Sequence, residues 1–257
     1  MKVVIFAGGL GTRLSEETED RPKPMVTIGD QPILFHIMKY YSYFGFDEFL
    51  ILGGYKNSQI KEYFFNYSLH NSDFRIDLGN NNVEITSRNH ENWKVSVLDT
   101  GLSTMTGGRL LRAKKYLKND ENFLLTYGDG LSDIAIDQVI ATHLNSNALV
   151  TLTAVNPPDR FGVLDIENEQ VVQFNEKPTN QNNLINGGFF VVRKDIFNYL
   201  EDDETVFEEY PLKSLASEGK LFCYKHTGFW QCMDTLKEKR LLNELLAKGN
   251  APWVKND

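Results

Sequence analysis

Five consecutive apolar residues, Val3 to Ala7, run directly into Gly8, Gly9 and Gly11. An unbroken apolar run reads as a strand buried on both faces, because a strand with one face in water would alternate. The glycines let the backbone turn tightly at its end. A strand of this kind belongs in a mostly parallel sheet covered by helices.

The rest of the chain repeats that alternation. Residues 32–44 carry apolar side chains at helical spacing and stop at Gly45; residues 48–52 read as a strand closed by Gly53 and Gly54, and 58–63 as a helix. Strands follow at 95–98, 123–127 and 149–155, separated by helices at 109–117 and 134–144. Further strands are predicted at 162–166, 171–175, 186–192 and 221–225, before an amphipathic helix at 236–246. The pattern lapses at about 70–93, where strand-like stretches at 74–78 and 83–86 flank Asn80, Asn81 and Asn82; a projecting hairpin and an oligomer contact are expected there. The order predicts an α/β, Rossmann-like three-layer fold with a mixed, mostly parallel central sheet. No Pro, Gly or Ser linker and no repeat divides the chain, so 1–257 is read as one domain.

A net charge of -8 disfavours a nucleic-acid surface, since phosphate backbones are held mainly by Lys and Arg. No apolar run approaches the roughly 20 residues of a membrane span, and the apolar start is too short for a signal-peptide core. A cytoplasmic protein without a membrane partner is expected. Two cysteines, Cys223 and Cys232, are too few for a disulfide framework and read as reduced thiols.

The loop after the first strand can cradle phosphates with its backbone N–H groups. It lacks the Gly-Lys-Ser/Thr ending of a P-loop, and Leu14 stands where the dinucleotide fingerprint needs a third small residue. Two cations flank it. Arg13 can bridge phosphate oxygens with its planar fork, and Lys23, expected in an extended frame between Pro22 and Pro24, can bring a point charge to the same anion. The alternatives are a plain strand-to-helix turn and a solvated charge cluster, the latter supported by Glu16, Glu17, Glu19 and Asp20.

Ala7-Gly8-Gly9-Leu10-Gly11-Thr12-Arg13-Leu14, continued by Pro22-Lys23-Pro24, resembles the signature of the sugar-1-phosphate nucleotidyltransferases. Tyr127-Gly128-Asp129, Arg160-Phe161-Gly162-Val163, Asn175-Glu176-Lys177-Pro178, Asn186-Gly187-Gly188-Phe189 and Trp230 to Thr235 follow in the family's order. Ser15-Glu16-Glu17-Thr18, Thr106-Gly107-Gly108-Arg109 and His226 to Trp230 are similar to its cytidylyl branch, although many relatives carry Pro at the place of Glu16.

The resemblance implies a nucleotide-diphospho-sugar transferase type of fold, with a nucleotide-binding half at about 1–150 and a sugar-binding half at about 151–257. It implies CTP and glucose 1-phosphate as substrates, Mg2+ as cofactor and a homo-oligomer. Arg13, Lys23, Asp129 and Asp234 are the implied catalytic residues, with Asp129 and Asp234 as metal ligands. Taken singly, either Asp could be a turn former, and Asp234 an N-cap. The nucleotide would meet Phe6, Ala7, Gly8, Gly9, Leu10, Gly11, Thr12 and Gly128 as well as Arg13 and Lys23. Thr104, Gly107, Gly108 and Arg109 are expected at the base, where Arg109 carries donors suited to cytosine O2 and N3; the alternative is an exposed Arg109 early in a helix. The sugar phosphate is assigned to Gly162, Glu176, Lys177, Asn186, Gly187 and Trp230, with Phe229 packing beside Trp230. Relatives use an Arg in the region of 203–211, where this chain has none. A dTTP or UTP enzyme, a metal-dependent glycosyltransferase and a non-catalytic sensor are the rival readings. The glycosyltransferase usually needs an Asp-x-Asp pair, where Tyr127-Gly128-Asp129-Gly130 has one Asp.

Overall fold

The computed structural model describes residues 1–87, 90–156, 163–167, 170–175 and 184–255. β1 (Val3–Ala7), β2 (Glu48–Gly53), β3 (Lys94–Asp99) and β4 (Asn122–Tyr127) run parallel in the spatial order β4-β1-β2-β3. β5 (Gly130–Ser132) leaves this sheet. β6 (Val150–Val155) pairs antiparallel with β7 (Ile185–Asn186), and β8 (Phe190–Arg193) lies antiparallel between β6 and β4. β9 (Leu221–His226) runs parallel to β6, and β10 (Trp230–Cys232) pairs antiparallel with β5. The central sheet thus has eight strands and is mixed but mostly parallel, as predicted.

β1 is buried along its whole length, and its side chains divide between two layers. Val3, Ile5 and Ala7 join the core beneath α1 (Ile33–Tyr43), whereas Val4 and Phe6 join the core beneath α2 (Thr106–Leu117). Burying one Leu, Ile or Phe stabilises by roughly 1.5–3 kcal/mol, so these two layers fix where the strand ends emerge. Both layers draw on residues from either side of position 150, including Val191 and Met233 in one and Phe190, Ile196 and Phe207 in the other.

Two predicted elements differ. The strand expected at 186–192 is divided, because Gly188 (φ 79°) and Phe189 (φ 48°) take left-handed backbone. That kink turns Phe189 into the core, where it stacks on Tyr41 at 5.9 Å. Helix α2 starts at Thr106 rather than 109, drawing Gly107 and Gly108 into its first turn.

The hairpin forms as expected. Strands Phe74–Asp77 and Asn82–Ile85 pair apart from the main sheet with all eight residues exposed, and Asn81 (φ 52°) turns the chain between them. No helix among the described residues is long and apolar enough to cross a membrane. Cys223 and Cys232 are free thiols.

Candidate active site

In open α/β sheets the ends of parallel strands bound the ligand crevice. Here a cleft of about 550 Å3 opens beyond the ends of β1 and β4. Phe6 through Arg13, Lys23, Thr104, Arg109, Gly128, Asp129 and Asp234 all line it. Gly11 sits at φ 67°, and a side chain there would meet Thr18 at 2.8 Å. The Thr18 hydroxyl closes the turn by donating to the carbonyls of Gly11 (2.9 Å) and Leu14 (3.0 Å). Gly128 lets β4 close on β1: its N–H donates to Phe6 O at 2.9 Å, and a Cβ would lie 2.8 Å from that oxygen.

Four charged residues from distant parts of the chain converge on this floor. Lys23 Nζ donates to Asp129 Oδ2 at 2.5 Å and to Asp234 Oδ1 at 2.6 Å, while Arg13 Nη1 donates to Asp234 Oδ2 at 2.6 Å. Lys23 is not held in the extended frame expected from its two prolines. Pro22 is extended, but Lys23–Met25 forms a 3-10 turn closed by Met25 N to Pro22 O, which Pro24 tolerates because its fixed φ suits the start of a helix.

Burial opposes the Lys23 charge, yet Asp129 and then Asp234 outweigh it and raise its pKa above the ordinary lysine value. For Asp234 burial likewise opposes ionisation, and the Lys23 bond and charge, with Arg13 behind them, hold its carboxyl below the usual range. The Cys232 thiol, 3.7 Å from Asp234, is pushed up to about 12 by burial and by that carboxylate, so it stays protonated. Asp234 does not cap the last helix. Thr235 caps α3 (Leu236–Ala247) in a reciprocal capping box with Glu238, which leaves the Asp234 side chain turned to the cleft.

The opposite wall is organised differently. Arg109 is buried, contrary to the reading that leaves it exposed early in a helix. Its Nη1 donates to Thr100 Oγ1 and Gly101 O, both at 2.7 Å, and to Gly53 O at 3.3 Å; its Nη2 donates to Gly8 O at 3.1 Å and Leu102 O at 3.3 Å. A base could meet these donors only by taking the place of some of the carbonyls. Gly107 and Gly108, also assigned to the base, are not among the residues that line the cleft. A Cβ on Gly107 would meet Thr205 at 2.7 Å, and one on Gly108 would meet the Asp203 backbone at 2.6 Å. Their missing side chains instead let α2 dock on the 203–205 segment, where Gly108 N donates to Thr205 O.

Glu208 of the following segment also faces the cleft, and no motif in the sequence pointed to it. It accepts from the hydroxyls of Tyr127 at 2.7 Å and Thr106 at 2.6 Å.

Of the residues assigned to the sugar phosphate, Gly162, Glu176 and Lys177 lie outside the described residues. The other three gather beside the end of β4 rather than along the cleft wall itself. Asn186 Nδ2 donates to the Tyr127 hydroxyl at 3.2 Å, and Trp230 Nε1 donates to Gly187 O at 2.8 Å. Phe229 stacks on Trp253 at 5.5 Å and packs with it against the core under α1.

Two cations beside a glycine turn, facing two carboxylates at the carboxyl edge of a parallel sheet, are an arrangement suited to a nucleotide's phosphates. The chain belongs to the nucleotidyl transferase family, whose pattern it matches over residues 2–233. It is 52% identical over 253 residues to the glucose-1-phosphate cytidylyltransferase of Salmonella typhi, covering 98% of each chain. It is also 44% identical to the probable glucose-1-phosphate cytidylyltransferase of Bacillus subtilis, over 98% of this chain and 99% of that one. Among solved structures, HddC from Yersinia pseudotuberculosis superposes with a TM-score of 0.70 at 25% identity, covering 95% of this chain and 99% of that chain.

Proposed function

We propose that this chain transfers a cytidylyl group from CTP to α-D-glucose 1-phosphate, yielding CDP-glucose and pyrophosphate. The choice of substrates rests on the two cytidylyltransferase relatives, which it matches almost end to end. The transfer chemistry rests on one observation, the meeting of Lys23 with Asp129 and Asp234 beside the glycine loop.

An oxygen of the sugar phosphate attacks the α-phosphorus in line, and the bond to the bridging oxygen breaks as pyrophosphate leaves with its electron pair. A phosphate monoester has its second pKa near about 6, so it arrives largely ionised and needs no general base. Arg13, with its side chain 74% exposed and a single anchor, is free to grip the β- and γ-phosphates. Lys23 carries the positive charge that the α-phosphate needs as charge accumulates in the transition state. Arg109 and Thr104 are assigned to the base, and Lys177 and Glu176 to the sugar phosphate.

Asp129 and Asp234 fit a hard divalent cation, since their oxygens converge on the same ammonium and offer the donor type Mg2+ requires. Bound there, Mg2+ supplies positive charge to the phosphate oxygens. Self-association through the exposed apolar pairs Phe74–Ile85 and Ile76–Val83, and a cytoplasmic location, complete the proposal.

The experiment is pyrophosphate release by the purified protein with glucose 1-phosphate, Mg2+ and each of CTP, UTP, dTTP and GTP. Turnover with CTP at least about tenfold above the others, abolished by chelator, is expected. Binding of CDP-glucose without turnover of any nucleotide supports a sensor instead.

A further inference from the structure

The Glu208 carboxylate is the acceptor end of a hydrogen-bond chain that crosses the floor of the cleft. Thr106 Oγ1 donates to Glu208 Oε2, and the same hydroxyl oxygen accepts from Phe207 N at 2.9 Å. From the other side, Tyr127 donates to Glu208 Oε1 while its oxygen accepts from Asn186 Nδ2. The amide of Asn186 is oriented by Gly188 N, which donates to its Oδ1 at 3.0 Å. Every hydroxyl proton in the chain is therefore committed toward Glu208. Burial, and then the Glu208 charge, raises the Tyr127 pKa far above its ordinary value, so the phenol remains a donor.

A carboxylate offers about four lone-pair positions, and these partners use two. Glu208 lines the cleft, is only partly buried and makes no ion pair with any cation among the described residues. The Glu208 charge disfavours a phosphate directly beside it. CTP and glucose 1-phosphate carry no cationic donor, so the substrate groups that can donate to it are the sugar hydroxyls and the cytosine amino group. The cleft is thereby divided: cations of the glycine loop on one side take phosphates, and an acceptor on the other takes a donor.

We infer that Glu208 is a specificity-determining residue that receives a hydroxyl of a substrate sugar, either the ribose of the nucleotide or the hexose. The inference rests on the proposed reaction. Its consequence is that the substrate is registered along the cleft by its hydroxyl pattern as well as by its charge, with Tyr127 and Thr106 holding the acceptor in place. Because Tyr127 lies two residues before Asp129 at the end of β4, the same contact sets the sugar in register with the carboxylate floor.

The test compares wild type with Glu208→Gln and Thr106→Val, each first checked for folding by circular dichroism. For each protein kcat/KM is measured with CTP, 2′-deoxy-CTP, 3′-deoxy-CTP and UTP, and with glucose 1-phosphate and its monodeoxy analogues. Wild type should prefer one hydroxylated substrate over the matching deoxy form by about tenfold to a hundredfold, the range of a hydrogen bond to a charged group. Glu208→Gln should lose most of that preference, its rate with the deoxy form staying within about threefold of wild type. Thr106→Val, which keeps the carboxylate but removes one of the two hydroxyls that hold it, should weaken the preference less than Glu208→Gln does. Which analogue responds identifies the ribose or the hexose.

An equal loss on all substrates, or a loss confined to CTP against UTP, overturns the assignment; the latter would place the cytosine amino group on Glu208. Should wild type release no pyrophosphate at all, the proposed reaction falls. Calorimetric titration of the same analogues into wild type and Glu208→Gln then decides the hydroxyl contact by itself, because an unchanged ratio of affinities excludes it.

Discussion

Two arginines face the same cleft and are held in opposite ways. On the glycine-loop wall, Arg13 is largely exposed and tied by one bond to Asp234, and Lys23 beside it is tied to two carboxylates. On the α2 wall, Arg109 is 5% exposed, and its terminal nitrogens feed four backbone carbonyls and one hydroxyl. Ionic partners can be exchanged for phosphate oxygens at little cost, because one anion replaces another. Carbonyls that hold three separate loops cannot be released so freely. On the proposed reaction, the first wall exchanges partners and the second holds the shape in which that exchange happens.

The largest effects belong to the first wall. Asp129→Asn, Asp234→Asn and Lys23→Ala should each lower kcat by at least about a hundredfold in a protein whose circular dichroism is unchanged. A near-normal rate in any of them removes that residue from the chemistry and blurs the contrast between the walls.

The contrast itself is tested by exchanging the two arginines' roles. Arg13→Ala should change unfolding free energy by no more than about 0.5 kcal/mol, since it removes an exposed side chain, while kcat/KM falls about ten- to a hundredfold. Arg109→Leu should do the reverse in denaturant titration, costing about 2–3 kcal/mol because buried carbonyls at Gly8, Gly53 and Gly101 lose their donor. If Arg109→Leu is as stable as wild type, the α2 wall is not held by its guanidinium.

The two walls were not equally legible in the sequence. The apolar run at Val3 to Ala7 and the glycines after it forced a buried strand and a tight turn, so the first wall could be read from local chemistry. The partnership of Lys23 with Asp129 and Asp234 spans more than a hundred residues, and only the family resemblance suggested it. On the second wall local reasoning had less to offer. Gly107 and Gly108 were assigned to the base through the family resemblance, whereas a glycine by itself marks any close approach of backbone, here that of the 203–205 segment. Glu208 carried no signal, since nothing around it in sequence distinguishes a cleft carboxylate from the exposed Glu209 next to it. The kink at Gly188 and Phe189 was hidden for the same reason: it is required by the packing of Phe189 on Tyr41, far away in the chain.

The close packing of Gly108 supplies a third, smaller effect. Gly108→Ala should destabilise by about 1–2 kcal/mol, because the new methyl would overlap Asp203 Cα and O, both backbone atoms at 2.6 Å. Gly9→Ala is the matched control on the first wall. Nothing lies within 4 Å of a Cβ there, so its unfolding midpoint should stay at the wild-type value. Equal loss in both would mean that glycine is required in each place for backbone freedom rather than for room.

The smallest effect isolates one strand of the Arg109 network. Thr100 is fully buried, and its hydroxyl donates to Gly53 O at 2.6 Å while accepting from Arg109 Nη1 at 2.7 Å. Thr100→Val keeps the shape but removes both bonds. Gly53 O retains its backbone bond from Thr100 N at 2.9 Å, and Arg109 retains its four carbonyls, so neither group is orphaned. The cost should therefore be about 1 kcal/mol, near the net value of an ordinary hydrogen bond and below that of Arg109→Leu. Thr100→Ser, which restores the hydroxyl, should recover most of it. Since Thr100 lies behind Arg109 and touches neither Lys23 nor the carboxylates, kcat should stay within about twofold in both variants. A large fall in kcat for Thr100→Val alone would show that the α2 wall, through the placement of Gly8 and Gly53, sets the geometry of the phosphate side as well as the stability of its own loops.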